Sequence, residues 1–224
     1  MSSKVKELQP AGPINHRSPR GTLFVVSSPS GGGKGTIIRH VLACVENLSY
    51  SVSYTTRAPR LSEVDGREYF FVARQTFEEM VAAGEFLESA CVHGHFYGTS
   101  KQQIIEETGA GVDIILEVDV QGAASVRQLL MDSVSIFILP PSYEILRQRL
   151  IARGTDSPEE LEVRLRNAPL ELKQYSAFDY VIINDEIERA AGQLASIICA
   201  ERARCMRQEG LVREVIQQFQ DSQS

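Results

Sequence analysis

Apolar residues cluster in short runs along the chain rather than in one long stretch. Thr22 to Val26, Val112 to Val118, Val134 to Leu139 and Tyr180 to Ile183 are apolar at successive positions and β-prone. Such runs predict strands covered on both faces. Helical stretches separate them: Thr36 to Val45, Thr99 to Thr108, Gly122 to Leu130, Ser142 to Ala152, and Ser157 to about Tyr175. A long final helix follows Asp185, read as its cap. Ser157-Pro-Glu-Glu160 has the form of a capping box with proline at the first helical position. Strand–helix alternation with buried strands predicts an α/β fold built on a parallel, doubly wound sheet.

Residues 50–98 break the alternation. Tyr50 to Tyr54, Tyr69 to Val72 and Phe86 to Val92 are β-prone, and Pro59 and Gly66 mark a loop between the first two. Thr76-Phe-Glu-Glu79 reads as a capping box opening a short helix that ends at Gly84, and Gly94 to Gly98 reads as a turn. The segment is a β-rich insertion in the alternating core.

Length and composition narrow the picture. A chain of 224 residues with 43% hydrophobic content suits one large domain with small insertions. The formal charge of −6 argues against coating DNA or RNA, which needs a broad basic face. No apolar run approaches the roughly 18 residues of a membrane span. The first 20 residues are polar and show no secretory signal, and they read as a disordered tail. Cys44, Cys91, Cys199 and Cys205 form no C-x-x-C pair and read as free thiols of a reducing cytosol, Cys44 and Cys199 as helix packing. His93 and His95 lack acidic or cysteine partners at ligand spacing and read as solvent-exposed.

The first chemistry lies between the first strand and helix, in Ser28-Pro-Ser-Gly-Gly-Gly-Lys34. Consecutive glycines let successive N–H groups converge on one anion, and the helix N-terminus adds its dipole. Lys34 supplies a mobile charge for β- and γ-phosphates, as in a Walker A phosphate loop. Two positions depart from that pattern: Ser28 replaces a glycine, and Gly35, followed by Thr36, replaces the hydroxyl residue that helps hold Mg²⁺. The bland alternative is a structural glycine turn.

Further on, Arg57 and Arg60 flank Pro59, with Tyr69 on the strand behind. Two guanidinium forks and a phenol suit a phosphate monoester. The alternative is surface pairing with Glu63 and Asp65. Glu88, with hydroxyls at Ser53 and Thr99, suits a guanine edge: the carboxylate accepts from N1–H and N2–H₂, and a hydroxyl donates to O6. The same Glu88 also fits a solvated strand end.

Thr55-Thr-Arg57-Ala-Pro-Arg60-Leu-Ser-Glu63-Val-Asp-Gly66-Arg-Glu-Tyr69-Phe-Phe71 resembles the signature of guanylate kinases at the same spacing. Phe86-Leu-Glu88, Tyr97-Gly98-Thr99, Leu116-Glu-Val-Asp119-Val-Gln-Gly122, Arg153-Gly154-Thr155 and Asn184-Asp185 follow in the family's order. The resemblance covers residues 21–207. It implies a P-loop NTPase three-layer αβα fold, with core 21–49, 99–143 and 176–207, a GMP-binding insertion 50–98 and a helical lid 144–175. Residues 1–20 would be a tail, and 208–224 a helix end and tail.

The resemblance also implies roles. Ser28, Pro29, Ser30, Gly31, Gly32, Gly33, Lys34, Gly35 and Thr36 would hold ATP, with Asn184 and Asp185 near the adenine. Arg57, Arg60, Tyr69 and Tyr97 would take the GMP phosphate, and Ser53, Glu88, Thr99 and Asp119 its base. Lys34 and Arg57, with Arg149, Arg153 and Arg164 of the lid, would be catalytic. The cofactor would be Mg²⁺ as MgATP, held mainly by phosphates and water with help from Thr36 or Asp119. Glu117 is a longer acid than the aspartate often found at its position. The reaction implied is phosphoryl transfer from ATP to GMP in the cytoplasm, with no nucleic-acid or membrane partner. Two rivals are a kinase of another nucleoside monophosphate and a non-catalytic binding module. Lys34 argues against the second.

Overall fold

The structure, a computed structural model, describes residues 20–60, 63–92, 94–130, 132–154 and 157–222. The expected tail before Arg20, His93, Thr155 and the Arg153 side chain lie outside the described residues.

All five residues of β1 (Leu23–Ser27) are buried, because this strand is the middle of a five-stranded parallel sheet. The other strands are β2 (Leu48–Tyr50), β7 (Asp113–Glu117), β8 (Val134–Leu139) and β9 (Tyr180–Ile183), in the order β2-β7-β1-β8-β9. Leu23 lies opposite Ile114 on one side, and Phe24 opposite Val134 on the other.

Side chains of a strand alternate between faces, and here both faces are apolar. Phe24 and Val26 point toward α1 (Lys34–Cys44) and α7 (Ile187–Arg202), packing with Ile37, Ile38, Val41, Leu194 and Ile198. Leu23 and Val25 point the other way, toward α3 (Lys101–Gly109) and α4 (Val120–Leu129), packing with Ile104, Ala123 and Val126. The result is the expected three-layer αβα arrangement. Each large aliphatic side chain so buried contributes about 1.5–3 kcal/mol.

A second sheet, ordered β4-β3-β6-β5, comprises β3 (Tyr54–Thr55), β4 (Phe70–Phe71), β5 (Phe86–Val92) and β6 (His95–Ser100). The β-prone run Tyr50 to Tyr54 is therefore divided between the two sheets. The expected turn at Gly94 to Gly98 is largely strand, because β6 pairs antiparallel with β5. The helix expected from Thr99 begins at Lys101 under a Ser100 cap. Helix α2 (Arg74–Ala82) backs this sheet, and its N-cap is Ala73 with no side-chain cap, so Thr76 does not open it.

Helices α5 (Tyr143–Arg153) and α6 (Pro158–Leu172) form a pair with their own small core of Leu146, Leu150 and Ala168. The Ser157 capping box is present as expected. Helix α6 tightens into a 3₁₀ turn at Lys173–Ala177.

Asp185 does not cap the last helix: Glu186 is the N-cap of α7, without a side-chain bond. The expected single final helix is interrupted at Ala203–Arg204, and α8 (Cys205–Asp221) follows. Cys44 and Cys199 are exposed rather than packed, as are Cys91 and Cys205. No described helix is long and apolar enough to cross a membrane.

Candidate active site

The glycine turn leaves the C-terminal end of β1 and enters α1. Gly31 and Gly33 have φ of +84° and +90°, a region that side chains rarely tolerate. Neighbours also crowd them. A Cβ on Gly33 would lie 2.2 Å from Asn184 Nδ2, and one on Gly31 2.9 Å from Leu150. Asn184, buried beyond the end of β9, donates from Nδ2 to the Gly32 carbonyl at 2.8 Å. Ser28 is buried, and its hydroxyl donates to the Pro29 carbonyl at 2.8 Å, so this departure from the phosphate-loop pattern is absorbed inside the loop. Lys34 opens α1, whose first turn carries no acidic residue to compete with an anion.

One cleft of about 820 Å³ runs from this loop to the second sheet. Ser28, Ser30, Gly31, Gly32, Gly33, Lys34, Gly35 and Thr36 line it on the loop side, with Arg149, Arg164 and Asn184. Ser53, Arg57, Arg60, Tyr69, Glu88, Tyr97 and Asp119 line the other side. Residues from both halves of the chain thus share one space.

On the second-sheet side, Glu63 holds both arginines. Arg57 Nη2 donates to Glu63 Oε1 at 2.9 Å, and Arg60 Nη1 lies 3.7 Å from the same oxygen. The expected alternative was pairing of these arginines with Glu63 and Asp65. Pairing with Glu63 occurs, but Arg57 and Arg60 still face the cleft, while Asp65 accepts from the Phe71 N–H instead. The Arg57 guanidinium also sits 5.6 Å from the Tyr69 ring centroid. Burial works against its charge, but hydrogen bonds to Glu63 and Tyr97 outweigh burial and keep it above the ordinary arginine value. Burial, then the Glu117 charge, pushes the Tyr69 phenol well above the usual tyrosine range.

Glu88 is 8% exposed and accepts from Thr99 Oγ1 at 2.6 Å. Burial pushes its carboxyl up; the Thr99 bond offsets part of that, and Asp119 adds to it. Thr99 itself is fully buried behind Glu88 and does not line the cleft. Asp119 caps α4 by accepting from the Gly122 N–H at 2.8 Å.

On the loop side, Arg149 Nη2 donates to the Asn184 carbonyl at 2.9 Å, while its buried Nη1 has no partner among the described residues. Burial lowers this guanidinium's pKa. Arg164 Nη1 donates to Ser30 Oγ at 2.6 Å. Pro29 is folded into the loop, its carbonyl accepting from the Gly32 N–H at 2.9 Å. Asp185 does not line the cleft; it pairs with Arg189 on α7.

Sequence reasoning missed Arg39, Gln121, Glu171 and Gln174 in the cleft wall. Arg39 was findable: it lies one turn beyond Thr36 and donates to Thr36 Oγ1 at 3.3 Å. Glu117 also lines the cleft, accepting from the Tyr50 hydroxyl at 3.3 Å. Among the described residues no group of three histidine, cysteine or acidic side chains forms a metal cage. The oxygen donors at hand, Glu117, Asp119 and Thr36, instead suit a hard divalent cation that keeps most of its shell for phosphate and water.

A parallel sheet with a glycine loop at the end of its central strand, and a cation-lined cleft beyond it, defines a P-loop nucleotide-binding protein. The sequence profile of guanylate kinases matches residues 20–201. The guanylate kinase of Symbiobacterium thermophilum is 48% identical over 198 residues, covering 88% of this chain and 94% of that protein. That of Nitrosomonas europaea is 50% identical over 197 residues, covering 88% and 98%. The crystal structure of guanylate kinase from Anaplasma phagocytophilum superposes with a TM-score of 0.72 at 37% identity, covering 85% of this chain and 90% of that one. The chain belongs to the guanylate kinase family.

Proposed function

We propose that the protein transfers the γ-phosphoryl group of ATP to GMP, and to dGMP, giving ADP and the diphosphate for guanine nucleotide synthesis and recycling. The observation that carries this reading is the shared cleft: a Glu88 carboxylate held by Thr99 at one end and Lys34 in the glycine loop at the other. Glu88 accepts from guanine N1–H and N2–H₂, with Ser53 and Asp119 beside it. Adenine has no donor at N1 and leaves the carboxylate unpaired, at a cost of about 1–3 kcal/mol.

The acceptor phosphate is gripped by Arg57, Arg60, Tyr69 and Tyr97. It is ionised at neutral pH, so its own oxygen is the nucleophile and no side-chain base is required. That oxygen bonds to the γ-phosphorus as the bond from the γ-phosphorus to the β–γ bridging oxygen breaks. The electron pair leaves on ADP. Lys34, the loop N–H groups and Arg149, Arg153 and Arg164 offset the repulsion between the anions and the charge that develops. Gly31 to Gly33, Lys34 and Thr36 hold the donor phosphates, and Asn184 stands on the nucleoside side.

Mg²⁺ as MgATP is the cofactor this chemistry implies, and when bound it would supply positive charge that neutralises the donor phosphates. Thr36, Asp119 and Glu117 are the residues that would help hold it, because their oxygens suit a hard cation and Gly35 offers none. The four exposed free cysteines support work in the reducing cytoplasm.

A coupled assay with ATP and GMP, dGMP, AMP, CMP or UMP tests the proposal. GMP is expected to be favoured over AMP by about ten- to a hundredfold in kcat/KM, and Lys34→Ala to lose about a hundredfold or more in kcat. Equal turnover of AMP and GMP, or a Lys34→Ala variant of normal activity, would overturn it.

A further inference from the structure

Ser30 is held on two sides by one helix. Its hydroxyl accepts from Arg164 Nη1 at 2.6 Å, and its backbone N–H donates to Glu171 Oε2 at 3.2 Å. Both partners belong to α6 and stand seven residues apart. At 3.6 residues per turn they share one face of the helix, about 10.5 Å apart along its axis. The helix therefore lies across the crest of the glycine loop rather than above an open gap.

The packing agrees with these bonds. Leu146 and Leu150, from the small core that joins α5 to α6, close against Gly31 so tightly that a Cβ there would meet them at 2.9–3.0 Å. One side of the loop is thus seated on the helix pair.

Pro169 stands inside α6, between Arg164 and Glu171. Proline has no N–H, so the Leu165 carbonyl loses its helical donor there, and a helix interrupted in this way bends more easily at that point. Beyond it the chain tightens into the 3₁₀ turn Lys173–Ala177. Glu171 lies on the far side of this weak point from Arg164. The bonds from Glu171 and Arg164 to Ser30 hold the helix to the loop on both sides of this weak point, so loss of the Glu171 bond lets the part that carries Arg164 shift.

We propose that Glu171 is a positioning residue: its carboxylate ties α6 to the Ser30 N–H and so sets where Arg164 stands relative to the donor phosphates. Although it stands in the cleft wall, its assigned partner is the loop and not a nucleotide. Its effect on turnover passes through Arg164, and it requires an acceptor oxygen at residue 171, not a negative charge. The proposal rests on the phosphoryl-transfer reading above, and the wild-type rate with ATP and GMP, measured first, separates the two. No wild-type turnover fails that reading, whereas an active wild type with the wrong variant pattern fails only the tether.

The test is steady-state kinetics of Glu171→Leu, Glu171→Gln, Arg164→Ala and the Glu171→Leu/Arg164→Ala double variant. Glu171→Leu is expected to lower kcat about tenfold, with the KM for GMP unchanged within about twofold. Glu171→Gln keeps an oxygen that accepts from Ser30 and is expected to retain kcat within about threefold. In the Arg164→Ala background, Glu171→Leu is expected to cost less than about twofold. An equal cost in both backgrounds overturns the proposal, and so does a Glu171→Gln variant as impaired as Glu171→Leu. Hydrogen exchange of the Ser30 amide in the unmutated protein supplies a reading that needs no variant: protection is expected, and rapid exchange overturns the tether.

Discussion

Thr99 Oγ1 donates to Glu88 Oε1 at 2.6 Å across the β5–β6 pair, where the two residues are register partners. The hydroxyl occupies one carboxylate oxygen and fixes the rotamer, so in the base site proposed above the acid would meet a guanine edge already oriented. Glu88→Gln keeps the shape and the Thr99 contact but turns one acceptor into a donor. It is expected to raise the KM for GMP by about 10–100-fold with a smaller change in the KM for ATP. Separate titration of the two substrates checks this; an equal rise in both KM values would place Glu88 outside the base site.

The same buried carboxyl predicts a pH dependence. Burial raises its pKa more than the Thr99 bond lowers it, and Asp119 raises it further. The folded protein therefore keeps this proton at pH values where the unfolded chain has released it. Stability from this group is present below the ordinary glutamate value of about 4.3 and is lost as pH rises through the raised one. Glu88→Gln is expected to melt higher than the parent at about pH 7.5, with the gap closing toward about pH 4. Melting curves at both pH values measure it, and a constant gap would refute the linkage.

Gly31→Ala meets two obstacles at once, a φ of +84° and Leu150 at 2.9 Å. It is expected to cost about 1–3 kcal/mol of stability and to displace the α5–α6 pair from the loop. Thermal denaturation reads the first effect and the KM for ATP the second. A variant that melts and binds like the parent would mean that loop and helix pair are not seated on each other.

Gly35→Ser is expected to behave in the opposite way. A Cβ there would meet only Glu117 Oε2, at an ordinary 3.7 Å, and the backbone φ is not positive. Serine restores the hydroxyl of the phosphate-loop pattern and is expected to lower the half-saturating Mg²⁺ concentration about two- to fivefold. Excess chelator is expected to abolish turnover of either protein, and undiminished activity in chelator would remove the metal from the mechanism.

Local chemistry made part of this molecule readable in advance. The run into Ser27 and the glycines before Lys34 announce their strand, turn and helix, because positive φ and convergent amides need glycine itself. Ser157 and Glu160 cap each other within four residues, and that box is present. Thr76 carries the same pattern and fails: the Val72 N–H is drawn to the Thr55 carbonyl, so sheet pairing sets where the chain leaves the strand and α2 starts earlier.

The break between α7 and α8 rests on distant partners. Arg202 reaches Asp113, 89 residues away, and no local window shows that pairing. Arg57, Arg60 and Glu88, picked out because their residue types match the chemistry of a phosphate and a guanine, all line the cleft. Glu171 was missed, since a glutamate seven residues after an arginine on a charged helix looks like solvated surface until Ser30 is seen between them.

Asn184 gives the glycine loop a dependence that its own residues do not reveal. The amide that props the Gly32 carbonyl belongs to a chain segment that begins past the outermost strand, itself hung on the Leu139 carbonyl by the Asn184 N–H at 2.7 Å. Loosening at that border of the sheet, 152 residues downstream in sequence, would take the prop from the Gly32 carbonyl. Nucleotide affinity is therefore a sensitive gauge of order at the β9 margin, and loosening there disarms the loop while the central strands remain intact.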